Sequence, residues 1–169
     1  MELLEGILTR RSIRQYKPDL VSEEQVQKLL EAAMSAPSAG NERPWQFVVI
    51  DDRKVLGAIP TIHPHSQMLE EAPLAILVCG DLEQAKFEGY WIQDCSAATE
   101  NLLLAAHALG LGAVWLGVYP DEERIAGLRR LLALPEHVIP LALVAVGYSE
   151  EVKLPVQRYK PERVHSNGW

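Results

Sequence analysis

Residues 91 to 109 constrain the fold most. Ala97, Ala98, Leu102, Leu103, Leu104, Ala105, Ala106 and Leu109 cover most of the circumference of a helix drawn through this stretch. A helix apolar nearly all round has no face to offer water, so it is read as buried. Its small alanines let another helix approach closely. The stretch is therefore read as the central core helix, shared with a partner subunit and ended by Gly110 and Gly112. With 169 residues the chain is the size of one domain and can hide roughly 70% of its unfolded surface.

The other elements follow from local signals. Leu3, Leu4, Ile7 and Leu8 recur at helical spacing over residues 2 to 9, which predicts a short amphipathic helix. Ser22 with Gln25 is a capping-box pattern, and Val26, Leu29, Leu30, Ala33 and Met34 follow on one face, so a helix runs from there to before Pro37. Residues 36 to 45 hold two prolines, a glycine, a serine and an asparagine and are read as a loop. Residues 46 to 51 and 74 to 80 are apolar runs, read as strands buried on both faces. Residues 53 to 59 form a short helix, 113 to 118 a third strand, and Pro120-Asp121 starts a helix with Ile125, Leu128, Leu131 and Leu132 inward. Residues 138 to 146 are a fourth strand, interrupted at Pro140. The expected architecture is one α+β domain over residues 1–169, a single sheet with helices on its faces, and five strands if residues 10 to 14 are counted. The polar tail, about 148–169, carries Tyr159 and Trp169 but too little apolar content for a core, so it is expected to lie across a neighbouring subunit.

Lys plus Arg number 16 against 23 Asp plus Glu, a net charge of −7. That argues against broad binding of nucleic acid or an anionic membrane. No apolar run is long enough to span a bilayer, the first residues lack a signal-peptide plan, and two isolated cysteines, Cys79 and Cys95, make no disulfide framework or zinc site. The expected compartment is the cytosol.

Against this acidic background Arg10-Arg11-Ser12-Ile13-Arg14 stands out. Drawn extended, it turns Arg10, Ser12 and Arg14 to one face and Arg11 and Ile13 to the other. Two guanidinium groups flanking a hydroxyl repel unless an anion lies between them, and a phosphate matches their planar donors. The plainer reading is solvated or ion-paired arginines. Other constellations are weaker. Gly110-Leu111-Gly112 follows a helix and precedes a strand, the reverse of a dinucleotide-binding turn. His63-Pro64-His65 is read as a pair of exposed loop histidines rather than a metal site, and His107 as a core or interface residue. Cys95 beside Asp94 is read as a buried, inert thiol, since no base is in view. With no metal, nucleophile or acid/base pair, the inventory suits a protein that binds a phosphorylated cofactor and lets it do the chemistry.

The chain resembles the FMN-dependent nitroreductase family, in particular its short members. The resemblance rests on Arg10 to Arg14 followed by an amphipathic helix, on Ala36-Pro37-Ser38-Ala39-Gly40-Asn41 with Pro44-Trp45, and on the long helix from Trp91. It extends through Val114-Trp115-Leu116-Gly117 to the ending Asn167-Gly168-Trp169. It implies a nitroreductase-like α+β fold with a mixed or antiparallel sheet, and a tight homodimer with FMN at the interface. Arg10, Ser12, Arg14 and Arg11 would hold the phosphate and ribityl chain, completed by Arg158 and Lys160. Pro37, Ser38, Ala39 and Asn41 would approach the flavin from the partner, Leu116 and Gly117 would lie against the ring, and Gln67 would add a polar contact. The implied reaction is ping-pong: NADH or NADPH reduces FMN and leaves, then a nitroaromatic, quinone or similar small-molecule acceptor takes the electrons, with no catalytic side chain. The alternatives are a flavin-binding or regulatory module without turnover and a dehalogenase-like FMN reductase. Two departures stand out. Arg43 occupies a position where the family commonly has Gln. The connection from Pro60 to Pro73 leaves little room for the helical excursion that covers the pocket in longer members.

Overall fold

The computed structural model describes residues 2–169. A four-stranded antiparallel sheet, in the order β1-β2-β4-β3, forms its centre. The strands are β1 (Trp45–Ile50), β2 (Leu74–Asp81), β3 (Gly112–Gly117) and β4 (Val138–Gly147). Every residue of β2 is buried. Successive side chains of a strand point to opposite faces, and the two faces of β2 feed two cores. Ile76 and Val78 pack with Leu29, Ala33, Cys95 and Leu102 on one side. Ala75, Leu77 and Cys79 pack with Leu56, Ile59, Leu69 and Leu128 on the other. A continuously apolar strand is what two covered faces require.

The first face is covered by α2 (Glu23–Met34) and α4 (Tyr90–Ala108), the second by α3 (Arg53–Ala58) and α5 (Glu122–Leu132). The capping box of α2 forms, with the Ser22 side chain accepting from the Gln25 N–H and the Gln25 side chain accepting from the Ser22 N–H. Asp52 and Asp121 cap α3 and α5 by side-chain oxygens alone, accepting from the Lys54 and Val55 N–H groups and from the Arg124 N–H. Pro140 lies opposite Cys79, where the β2–β4 register shifts, as expected of a residue without an N–H for the ladder. Among the described residues no helix is long and apolar enough to cross a membrane.

Two expectations are corrected. The arginine segment is not a fifth strand: it makes one parallel bridge, Ser12 to Ala113. Side chains of Ile13 and Tyr16 take the buried positions there, and between them the Arg14 N–H donates to Glu151 and the Gln15 carbonyl accepts from Glu150. Second, β1 is not buried on both faces. It is the sheet's edge, and Gln46 and Val49 are exposed. Within one copy α4 is partly open. Trp91, Asp94, Cys95, Ala98, Thr99, Leu102, Leu103 and Ala106 are buried, while Ala97, Leu104 and Ala105 are half-buried. Likewise α1 (Leu3–Thr9) forms, but its Leu3, Leu4, Ile7 and Leu8 remain 46–73% exposed.

The junction between the arginine segment and β3 depends on a missing side chain. A Cβ at Gly112 would lie 2.7–2.9 Å from three carbons of Ile13. Gly112→Ala should therefore push Ile13 out of its seat and destabilise the fold by about 1–3 kcal/mol, read from urea denaturation.

Candidate functional site

The segment between α1 and α2 reaches β3 through the Ile13 N–H, which donates to the Ala113 carbonyl at 3.0 Å. Around it lies a cavity of about 340 Å³ whose lining includes Arg10, Arg11, His107, Gly112, Ser149 and Lys153. Arg10 is drawn to Glu100 on α4, with Nε 3.7 Å from Oε1. The Arg11 guanidinium donates to the Leu154 carbonyl. Lys153 donates to the Ser12 carbonyl at 2.6 Å and pairs with Glu151 at 3.0 Å. Arg14 is exposed, and its side chain makes no hydrogen bond or ion pair among the described residues, although its N–H donates to Glu151 at 2.6 Å. Burial tends to raise the Glu151 pKa, but the Arg14 N–H and Lys153 outweigh it and the net shift is downward.

Arg10, Arg11 and Lys153 thus line one cavity with Glu151, Glu100 is drawn to Arg10, and Arg14 follows on the same segment. The donor set fits a phosphate group of FMN, since guanidinium and ammonium donors form short charge-assisted bonds to its oxygens. Ser12 is bridged to Ala113, and β3 runs on from there for four residues, about 13 Å, to Gly117. Leu116 is buried and Gly117 is exposed, and a Cβ at Gly117 would meet nothing within 4 Å. The strand therefore ends on a glycine with open space beside its Cα, where a flat ring can approach. A larger groove, about 560 Å³, lies between α2 and the β1 edge. Its walls are apolar apart from Gln27, Glu23, Glu31 and Asp51, a set that repels phosphate.

The loop holding Pro37, Ser38, Ala39 and Asn41 is displaced from the arginines. Ala39 donates its N–H to Asp94 on α4, whereas the arginine segment meets the other end of α4 through Thr9 and His107. Thirteen residues of helix, about 20 Å, separate Asp94 from His107. Arg158 and Lys160 sit on the exposed tail, and their side chains make no hydrogen bond or ion pair among the described residues. Lys153 is the tail-side cation beside Ser12. Gln67 is exposed and spends its amide on the Pro64 carbonyl at 2.7 Å. Arg43 is exposed, in a left-handed backbone conformation, φ 51°. Cys95 is buried, its thiol donating towards the Cys79 carbonyl, and burial pushes its pKa up to about 12, so it is inert.

The reading of His63 and His65 as exposed loop histidines holds for His65 and fails for His63, which is 1% exposed. Its Nε2 lies 2.9 Å from the Gly117 carbonyl, and its Nδ1 accepts from the His65 N–H at 3.3 Å. The carbonyl can only accept, so His63 carries its proton on Nε2. Arg124 donates to the same carbonyl at 2.9 Å. Two donors on one oxygen fix the end of β3 where the open space begins. His107 is half-buried as expected, and its tautomer follows similarly. The Thr9 hydroxyl spends its proton on the Glu5 carbonyl, so the 2.9 Å contact requires His107 Nε2 to donate. Asp81, Glu83 and His137 come close together, but Asp81 is already bonded to Glu83, Gln84 and Gln46, and the two imidazole nitrogens face different carboxylates.

Burial lowers the pKa of both His63 and His107, and a neighbouring arginine, Arg124 or Arg10, lowers it further. The unfolded chain then binds these protons at a higher pH than the folded one. Their contribution is complete above pH about 6.5 and is lost as pH falls, at up to about 1.4 kcal/mol per pH unit for each proton. Urea denaturation between about pH 5 and 7 should show stability declining towards acid, and His63→Gln should flatten that decline.

A model of the nitroreductase family matches residues 7–65 and 60–148. A Methanothermobacter thermautotrophicus protein provisionally named NADH dehydrogenase/NAD(P)H nitroreductase is 51% identical over 169 residues, spanning 100% of this chain and 88% of the relative. An FMN-dependent nitroreductase from Clostridium difficile superposes with TM-score 0.91 at 33% identity, covering 98% of this chain and 99% of that one. A provisionally named nitroreductase from Desulfovibrio desulfuricans, solved in complex with FMN, gives TM-score 0.87 at 35% identity, covering 100% and 98%. With matches over most of its length in both sequence and fold, the chain belongs to the nitroreductase family.

Proposed function

We propose that the protein is an FMN-dependent oxidoreductase that draws electrons from NADH or NADPH and delivers them to a nitroaromatic, quinone or similar small acceptor. The observation that carries this reading is the cationic loop docked on β3, with the strand leading from it to the open space at Gly117. Bound FMN supplies the two-electron chemistry, receiving hydride from the nicotinamide and serving the acceptor in turn, in a ping-pong cycle.

The chain's own residues bind and orient. Arg10, Arg11 and Arg14 with Lys153 neutralise the phosphate, and Ser12 lies among them. Arg158 and Lys160 join if the tail closes over the site. Leu116 and Gly117 give the ring a flat seat, and His63 with Arg124 keeps that seat from moving. No side chain of the site needs to take or give a proton for this role.

The functional unit is a homodimer built from this single domain. One copy leaves to water an apolar row on α1, a half-open flank of α4, and Leu154, Val156, Tyr159 and Trp169 on the tail. Apolar surface so concentrated marks an interaction face. With the tail lying across the second copy, Pro37, Ser38, Ala39 and Asn41 reach the flavin from the partner. Gln67, bonded to Pro64, contributes to the ring only if it gives up that bond. Two reduced cysteines suit the cytosol.

Arg14→Ala should weaken FMN binding by about 1.5–3 kcal/mol, the worth of a charged hydrogen bond, in a fluorescence titration of the apo-protein. Full FMN occupancy of that variant on dilution would remove Arg14 from the site. Sedimentation should give a dimer for the whole chain, and a monomer that still retains FMN would contradict the shared site.

A further inference from the structure

Among the described residues two buried side-chain oxygens have no hydrogen-bond partner, Glu42 Oε2 and Asp94 Oδ2. Both belong to carboxyl groups that hold the same turn. Glu42 Oε1 accepts from the N–H groups of Lys86 and Phe87, at 2.6 and 3.0 Å. Asp94 Oδ1 accepts from the Ala39 N–H at 2.9 Å. The turn between them is strained. Gly40, Asn41 and Arg43 all have positive φ, at 53°, 57° and 51°. For Asn41 and Arg43 the side chain crowds the backbone in that region, so the conformation persists only if its surroundings impose it. The Phe87 ring fills the space where a Gly40 side chain would stand, 2.5 Å from an ideal Cβ. Ser38 Oγ accepts from the Arg43 N–H at 3.0 Å and closes the turn on itself.

Asp94 is the part of this clamp anchored in the core. It is 4% exposed and lies in the second turn of α4, between Trp91 and Cys95 and Ala98, all buried. A carboxyl group with one oxygen unpartnered is a poor choice for stability, because an apolar side chain there would avoid the desolvation cost. Its one bond goes to the turn.

We propose that Asp94 is a positioning residue, holding the Ala39 N–H so that the turn presents Ser38, Ala39 and Asn41 to the flavin. This rests on the FMN reading above. The role runs through the acceptor atom alone. It needs neither charge nor proton transfer.

The test compares Asp94→Val, which removes the acceptor, with Asp94→Asn, whose amide oxygen can replace Oδ1. Three readouts are taken on the full chain: thermal midpoint, hydrogen exchange of the Ala39 amide, and FMN dissociation constant with the visible circular dichroism of the bound flavin. Asp52→Ala, which uncaps α3, serves as a destabilised control. Asp94→Val should speed exchange at Ala39, raise the FMN dissociation constant on the order of tenfold and alter the flavin dichroism. Its thermal midpoint should be unchanged or raised. Asp94→Asn should keep all flavin readouts near wild type, and Asp52→Ala should lose stability while keeping the wild-type dichroism. The proposal is overturned if Asp94→Val binds FMN with wild-type affinity and dichroism, or if Asp94→Asn fails as badly as Asp94→Val. It also falls, with the functional reading itself, if the wild-type protein takes up no FMN. That outcome differs from the others because it precedes any variant.

Discussion

The burial of Ile13 and Tyr16 against β3 and β4 is what turns a run of arginines into a candidate anion site. A flexible cationic loop gains little from binding an anion, because ordering its backbone and long side chains costs entropy. Here much of the ordering is done on folding. Ile13 sits over Gly112, and its N–H is bonded to Ala113. The Tyr16 hydroxyl donates to the Ile13 carbonyl at 2.6 Å, with the Ala145 carbonyl 3.2 Å away. Tyr16 also presses on Gly147, where a Cβ would lie 2.9 Å from its ring. Beyond it, Lys17 donates to Tyr148, and Glu150 donates back to Gln15. Arg10, Arg11 and Arg14 are left outside this seam, with Lys153 brought in from the far end of β4.

Two further constraints act at a distance from the cations. The carbonyl at the end of β3 is held by His63 and Arg124, and the strained turn at residues 38–43 is held by Asp94 and Glu42. In both places a buried polar side chain is spent on a backbone atom. Neither is needed to hide apolar surface, which the two cores around β2 and β4 already do. Such sites suit an enzyme whose cofactor carries the reaction: the protein has to hold a ring, a phosphate and an acceptor in register, and rigid backbone is the means.

Local signals carried the parts of the fold that are local. Ser22 with Gln25, the apolar runs of β2 and β4, and the face of α5 all declare themselves within a few residues, and each forms. The edge position of β1 was not legible, because composition reports that a strand is apolar without saying how many neighbours it has. The small alanines of α4 were read as room for a second subunit, and within one copy that flank of the helix is half-open. In the site, the cluster at residues 10–14 was visible as an excess of charge. His63 was not, because its meaning lies in the Gly117 carbonyl, 54 residues away, and Asp94 was passed over because its partner is a backbone N–H 55 residues off. Lys153 was missed in favour of Arg158 and Lys160 because motif order says which charges are near the end of the chain but not which of them folds back. A histidine next to a proline, or an aspartate inside an apolar helix, is the signal that could have raised either for inspection.

The visible absorption spectrum of the purified protein, recorded without oxygen before and after addition of NADH or NADPH, bears most directly on an FMN site that accepts nicotinamide electrons. The expected result is a flavin spectrum that bleaches on reduction and returns when a quinone or nitroaromatic is added. A colourless protein that takes up no added FMN, or a flavin spectrum that neither nucleotide bleaches, would contradict it.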